Sequence, residues 1–440
     1  MASFKPTRDE TFDNIKVNSS LQIPVLYQLP PTIIKGQLAY DGRNNTFLIS
    51  DGQGWQSISQ AYAYYQKAKL IGSGGVGITE QGFCALSGDG STLAVGGAQD
   101  NAFIGAVWIF TKVNGVWTQQ GSKLIGTGAV GNAGQGNGVA LSYDGNILAF
   151  TGLNDDGGIG AAWVFTRNSS GVWSQQGSKL VGSGYIGTPN VGWIALNDAG
   201  NTLAVGGIND NGGIGATWVF TRSGSVWTQQ GLKLIGTGAV GNATQGSGLS
   251  LSSSGDTLVI GGPDDNGGIG AVWVFTRSNG VWTQLGSKLV GTGYVGTPRF
   301  GFDIDLNANG DRMAVVGIND DGNIGAVWIF ELINGSWIQV GNKLVGRDYV
   351  GTPGAESCTL NANGDILYFT GFQDNGGIGA VWVFTRDPSG GWNQRGSKLT
   401  VTGNIGNANL QVISTDASGA IFAVGGVGDD GGMGATWVFD

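Results

Sequence analysis

A six-residue phrase recurs along this chain at an almost fixed spacing, and no other feature restricts the fold as much. GAVWVF or a close variant places tryptophan at Trp108, Trp163, Trp218, Trp273, Trp328, Trp382 and Trp437, in steps of 55, 55, 55, 55, 54 and 55 residues. A second marker, the Lys-Leu of GSKLVG, falls at Lys69, Lys123, Lys179, Lys233, Lys288, Lys343 and Lys398. Two independent markers give the same number, seven. A repeated unit of this kind cannot bury its apolar face alone and must stack on its neighbours.

Each unit reads as four short strands. In the second, GVALS (138–142) is followed by a DG turn, ILAFTG (147–152), an NDDGG loop (154–158), GAAWVFTR (160–167), a turn near Ser169–Gly171, and VWSQQGSKLVG (172–182). These strands are rich in β-branched and aromatic residues and are bounded by Gly, Asn, Asp and Ser. Glycine, 84 of 440 residues, lies in the turns between apolar strands, with no Gly-X-Y period that would indicate collagen. Side chains alternate across a strand, so Trp108 and Phe110 share one face and Val107 and Ile109 the other. Both faces are apolar and both need cover. Blades stacked face to face around an axis supply it, and four strands per unit suit a propeller better than a solenoid.

The last repeat stops at Trp437-Val438-Phe439-Asp440, after its third strand. The missing fourth strand is present before the first repeat, as AYAYYQKAKLIG (61–72). The expected fold is therefore all-β: a seven-bladed β-propeller over 61–440, closed by an N-terminal strand, with an arm over 1–60. In the arm, 35–59 (KGQLAYDGRNNTFLISDGQGWQSIS) reads as two or three short strands joined by DGRNN and DGQG turns.

The phrases GDGSTLAVGG (88–97), SGDTLVIGG (254–262) and GAVWVF (270–275) resemble the FG-GAP repeat, the propeller repeat of integrin α-chains and of many bacterial and viral proteins. The arm's GQLAYD…NNTFLISDG…W is similar to segments of tail-fibre and surface proteins of large viruses and phages. Propellers of this Trp- and Gly-rich style are also found in giant DNA viruses of amoebae. Together these resemblances imply a structural or attachment protein of a virus particle. The propeller would be the head, binding protein partners or surface glycans, and residues 1–60 an anchoring or homo-oligomerisation arm. The alternative is a carbohydrate-binding or adhesion propeller, extracellular or at a cell surface.

Candidate site residues are few. The middle residue of each loop between the second and third strands is an aspartate: Asp100, Asp155, Asp210, Asp265, Asp320, Asp374 and Asp429. Propeller geometry puts them in a ring on one face. As cation ligands they offer one carboxylate per blade, whereas calcium takes six to eight oxygens; as structural residues they would accept backbone N–H bonds in Asx-turns. Calcium-binding FG-GAP relatives use a DxDxDG loop between the first two strands. The corresponding SGDGS (87–91), SYDGN (142–146), NDAGN (197–201) and SSSGD (252–256) keep at most two acids, so no calcium or other cofactor is expected. The seven repeat-marking tryptophans, six more in the fourth strands (Trp117, Trp173, Trp227, Trp282, Trp337, Trp392) and Trp55 in the arm are expected to serve packing. Trp193 alone falls outside the pattern.

The inventory argues against catalysis. The chain has no histidine, no G-x-x-x-x-G-K-[ST] loop and no Cys-x-x-Cys pair, and its G-x-G strings lie in hairpins. A formal net charge of -9 disfavours nucleic acid. No apolar run reaches the 18 or so residues of a membrane span, and MASFKPTRDETFDN has no apolar core of a secretory signal. Cys84 and Cys358 hold equivalent places in non-adjacent repeats, so buried free thiols are expected rather than a disulfide.

Overall fold

The computed structural model describes residues 64–440 together with the strand segments 25–26, 38–41, 46–50 and 55–57. The chain divides into two compact units, Met1–Ala63 and Tyr64–Asp440. In the first, Leu38–Asp41, Thr46–Ser50 and Trp55–Ser57 form an antiparallel meander, three strands where the sequence reads as two or three, and Val25–Leu26 adds a parallel fourth. The expected anchoring role of this arm, and the packing of Trp55, lie outside the described residues.

The second unit is a seven-bladed propeller. Seven four-stranded antiparallel sheets follow one another, and the innermost strands neighbour each other all the way round, the seventh blade against the first. In the second blade the strands are Gln135–Leu141, Ile147–Gly152, Ala161–Arg167 and Trp173–Gln175. The fourth is shorter than the 172–182 segment read from sequence. Gly177 sits at φ 77°, a left-handed turn that breaks the strand, and Leu180 rejoins the sheet beyond it as an isolated bridge to Ala162.

Closure occurs as the surplus and deficit of strands require. Gln66–Leu70 pairs with Ala435–Phe439 and completes the seventh blade. Tyr65 N–H donates to the Asp440 carbonyl at 2.9 Å, and Lys67 reaches the Asp440 carboxylate at 3.1 Å.

There is no single core. Seven clusters lie one between each pair of blades. Trp108 and Phe110 pack with Ala423 and Val438 of the seventh blade, whereas Val107 and Ile109 pack with Trp163 and Phe165 of the second. The same arrangement recurs around the ring: Trp218 and Phe220 meet Ala162 and Val164, and Trp382 and Phe384 meet Val327 and Ile329. The apolar character of both strand faces is thus used, one face per neighbour. The seven third-strand tryptophans are at most 1% exposed. Cys84 and Cys358 are buried free thiols, each against a main-chain carbonyl of the preceding blade.

Candidate interaction face and axial channel

Strands alternate in direction, so the loops between second and third strands emerge at the same end as the connectors between blades. The aspartate ring lies there. Each of the seven aspartates is buried. Each forms an ion pair with the repeat-marking lysine of its own blade, which follows the fourth strand in six: Lys123–Asp100, Lys179–Asp155, Lys233–Asp210, Lys288–Asp265, Lys343–Asp320 and Lys398–Asp374; Lys69, within the closing strand, meets Asp429 at 2.6 Å. The lysines are 14–21% exposed.

The other carboxylate oxygen accepts a backbone N–H from the connector entering the blade, for example Val76 N–H to Asp100 Oδ1 at 2.8 Å and Ile186 N–H to Asp210 Oδ1 at 2.8 Å. This is not the Asx-turn considered from sequence, whose donor is two residues on; the donor here lies 24 or 25 residues back. The reason is the next residue, an Asn or Asp held left-handed (Asn101 φ 52°, Asp156 φ 50°), which curls the loop so that its own N–H donates to the same connector residue's carbonyl. Asn101 N–H to Val76 O (2.9 Å) and Asn211 N–H to Ile186 O (2.9 Å) are two of the seven such bonds.

Two further groups fix each connector. The core tryptophan's Nε1–H donates to a connector carbonyl, Trp108 to Ser73 O at 2.8 Å. A fourth-strand glutamine accepts a connector N–H, Gln119 from Ser73 at 2.7 Å, and equivalents recur in the other blades. In six of the ring aspartates both oxygens are hydrogen-bonded, while Asp429 Oδ2 meets Lys69 as an ion pair alone. Among the described residues no group of three or more His, Cys, Asp and Glu side chains is placed to hold a metal ion.

What the clamped connectors present is apolar. Val76, Val130, Ile186, Val240, Val295, Val350 and Ile405 have both backbone groups tied down, yet their side chains are 51–58% exposed. Tyr185, Tyr294 and Tyr349 stand beside three of them, also exposed. Sequence reasoning used the lysines only as markers and passed over this ring. The signal available was the interval of 23 or 24 residues between aspartate and lysine in six repeats of a chain with only 22 basic residues.

The axial channel is where the repeat stops repeating. A cavity of about 360 Å³ at the connector end is lined by Phe83, Trp193, Phe302, Asp303, Glu356 and Gln411, among others. A second of about 330 Å³ continues toward the opposite end past Ser250, Asp305 and Thr359. Asp303 accepts the Cys358 N–H at 3.0 Å and Asp305 the Leu360 N–H at 2.8 Å, stitching the fifth inner strand to the sixth. Burial pushes Asp303 up to about 6 and Asp305 to about 7; burial and then the neighbouring Asp303 charge lift Glu356 to about 7.

A carboxyl with a raised folded-state pKa binds its proton more tightly folded than unfolded. Its contribution is present at low pH and is lost as pH rises from about 4 through about 7. Stability is therefore expected to fall between pH 5 and pH 8. Glu356→Gln should recover about 2 kcal/mol of that loss at pH 8, judged from roughly 1.4 kcal/mol per pKa unit. Denaturant midpoints of the two proteins at both pH values check this, and equal pH slopes would refute it.

No protein-family model matches the chain, and no curated protein matches its sequence.

Proposed function

We propose that this protein is a non-enzymatic structural or attachment component of a virus particle, and that the connector face of the propeller is its docking head. The observation that carries the docking role is the ring of seven exposed aliphatic side chains on backbone held at both N–H and C=O. A side chain so mounted loses little conformational freedom on contact, which is the main cost of ordering a loop at an interface. Apolar groups repeated around one face form a surface that a partner can cover.

The particle assignment is supported by the likeness of the arm segment (35–59) to viral fibre and surface proteins, and of the repeat to FG-GAP propellers. A glycan-binding or adhesion role is the second reading, favoured by exposed Tyr185, Tyr294 and Tyr349 on the same face. The fourteen described tryptophans offer a sugar little: all are buried or half-buried.

Immunogold labelling of purified particles and of producing cells, with antibody against this chain, tests the assignment. Label on particles is expected, and the triple variant Val130→Glu, Val240→Glu, Val295→Glu should lose at least ten-fold of it. Its thermal midpoint should stay within a few degrees, because these side chains touch water and not the core. Label confined to a cell surface or the medium would replace the particle reading with the adhesion one. Undiminished label on the triple variant would remove the connector face from the interaction.

A further inference from the structure

The seven inner strands share one register. Cys84, Val139, Ile194, Leu249, Ile304, Cys358 and Ile413 pair with Val95, Phe150, Val205, Ile260, Val315, Phe369 and Val424 respectively. The residue before each of these is therefore structurally equivalent. Where the third strands keep one Trp and one Phe in all seven blades, this position holds Phe83, Trp193 and Asp303 in the first, third and fifth blades and a different or smaller residue elsewhere. The departures converge on the connector-end cavity of about 360 Å³, a volume at the lower end of the roughly 300–1,000 Å³ range of small-molecule pockets.

The chemistry of the lining is two-sided. Carboxylates come from the fifth and sixth blades, Asp303 and Glu356; aromatic rings come from the first and third, Phe83 and Trp193. Blade one lies across the axis from blade five, and blade three across from blade six. Asp303 is fixed by the hydrogen bond from Cys358 N–H, so its charge has a set position. Glu356 is different: its Oε2 is buried and has no hydrogen-bond partner. A buried carboxylate oxygen without a donor is costly, and a bound cation with N–H groups would supply the donor. Phe302, at the same cavity, already carries the Arg299 guanidinium over its ring, 5.6 Å from the centroid. That guanidinium is held by Asp264 at 3.0 Å, which leaves Phe83 and Trp193 as the rings available to a ligand.

We infer that this cavity binds a small organic cation, a primary or methylated amine with an apolar body, whose ammonium sits at Glu356 and Asp303 and whose body lies against Phe83 and Trp193. Anionic groups and aromatic faces both favour a cation, and the second adds to the first when the site is shielded from water. A neutral ligand of the same shape gains the apolar contact only. An anion is repelled by both carboxylates. The inference is independent of the docking role of the connector loops.

The test uses phenethylammonium as the probe, with 2-phenylethanol as its neutral counterpart, titrated into the full-length chain by isothermal calorimetry at pH 8 and followed through tryptophan fluorescence. Phenethylammonium is expected to bind at least ten-fold more tightly than 2-phenylethanol. Glu356→Gln should abolish that preference, and Trp193→Phe should remove the fluorescence response while keeping the cation preference. Glu356→Gln alters one atom of an unpartnered group and retains the fold, which far-UV circular dichroism verifies; Asp156→Asn, on the exposed loop surface, serves as the control and should bind like the parent. Absence of binding, equal binding of the two probes, or a cation preference that survives Glu356→Gln would each overturn the assignment. None of these results bears on particle labelling, so the two proposals fail separately.

Discussion

Replacing Asp210 with alanine is expected to lower the stability of the propeller by about 3–5 kcal/mol, the range found when one partner of a buried ion pair is removed. Lys233 would be left 14% exposed with no counter-charge, and the Ile186 N–H would lose its acceptor. The loop's own N–H groups are donors and cannot replace the carboxylate, and the Ile186 carbonyl accepts from Asn211. Asp210→Asn should cost less, because the amide oxygen can still take the Ile186 N–H while only the charge is lost. Removing both partners together, Asp210→Ala with Lys233→Met, should recover part of the loss by eliminating the isolated ammonium. Urea denaturation of the three variants measures the set. A single Asp210→Ala variant within 1 kcal/mol of the parent would show that the aspartate ring does not hold the connectors.

The size of that expected effect explains why a chain with 12% charged residues places so many of them inside. A blade has apolar contact on both broad faces, but the connector must cross from the outer strand of one blade to the inner strand of the next. Past the leucine that bridges back to the third strand, as Leu180 does to Ala162, most of its backbone lies outside the sheets. The aspartate, the glutamine and the tryptophan indole take that part, and the lysine neutralises the aspartate while lying over the tryptophan ring, as Lys123 does over Trp108 at 5.9 Å. The connector's backbone groups are in this way bonded by side chains of its own blade, without a neighbouring strand.

These features differed in how far the sequence disclosed them. The number of blades, the two apolar faces of the third strand and the closing strand were legible because each follows from periodicity and alternation, which are local. The pairing of Asp210 with Lys233 was not, although both residues had been singled out. Their proximity depends on a hairpin bringing the end of the fourth strand back beside the loop between the second and third. The exposure of Val130 was equally hidden: in sequence it is one more aliphatic residue in a Gly-rich stretch. Only the left-handed Gly131 (φ 75°) and the clamp on its backbone turn it outward. The channel carboxylates Asp303, Asp305 and Glu356 went unremarked because they break the repeat, and a reading guided by the repeat looks past its exceptions.

The closing strand supplies the second large effect. A chain beginning at residue 73 lacks Gln66–Leu70, so the edge of Ala435–Phe439 opens and Asp429 loses Lys69. It also loses Tyr64, whose ring packs on Phe422 and whose hydroxyl donates to the Gly419 carbonyl at 2.9 Å. The loss should exceed that of Asp210→Ala, since it contains the same broken pair and a missing strand besides. A circular permutant separates connectivity from content. In the first blade the third strand turns into the fourth through Lys112–Trp117, with Phe110 opposite Gln119; in the seventh, Phe439 stands opposite Gln66 in the same manner. Joining Asp440 to Tyr65 through the six residues KVNGVW, with the chain starting at residue 73, converts the closing strand into an ordinary hairpin. That permutant is expected to melt within a few degrees of the parent propeller, while the truncated chain lacks its cooperative transition. If the permutant fails as the truncation does, closure depends on more than the strand itself; if the truncation survives, the ring is held by the blade faces alone.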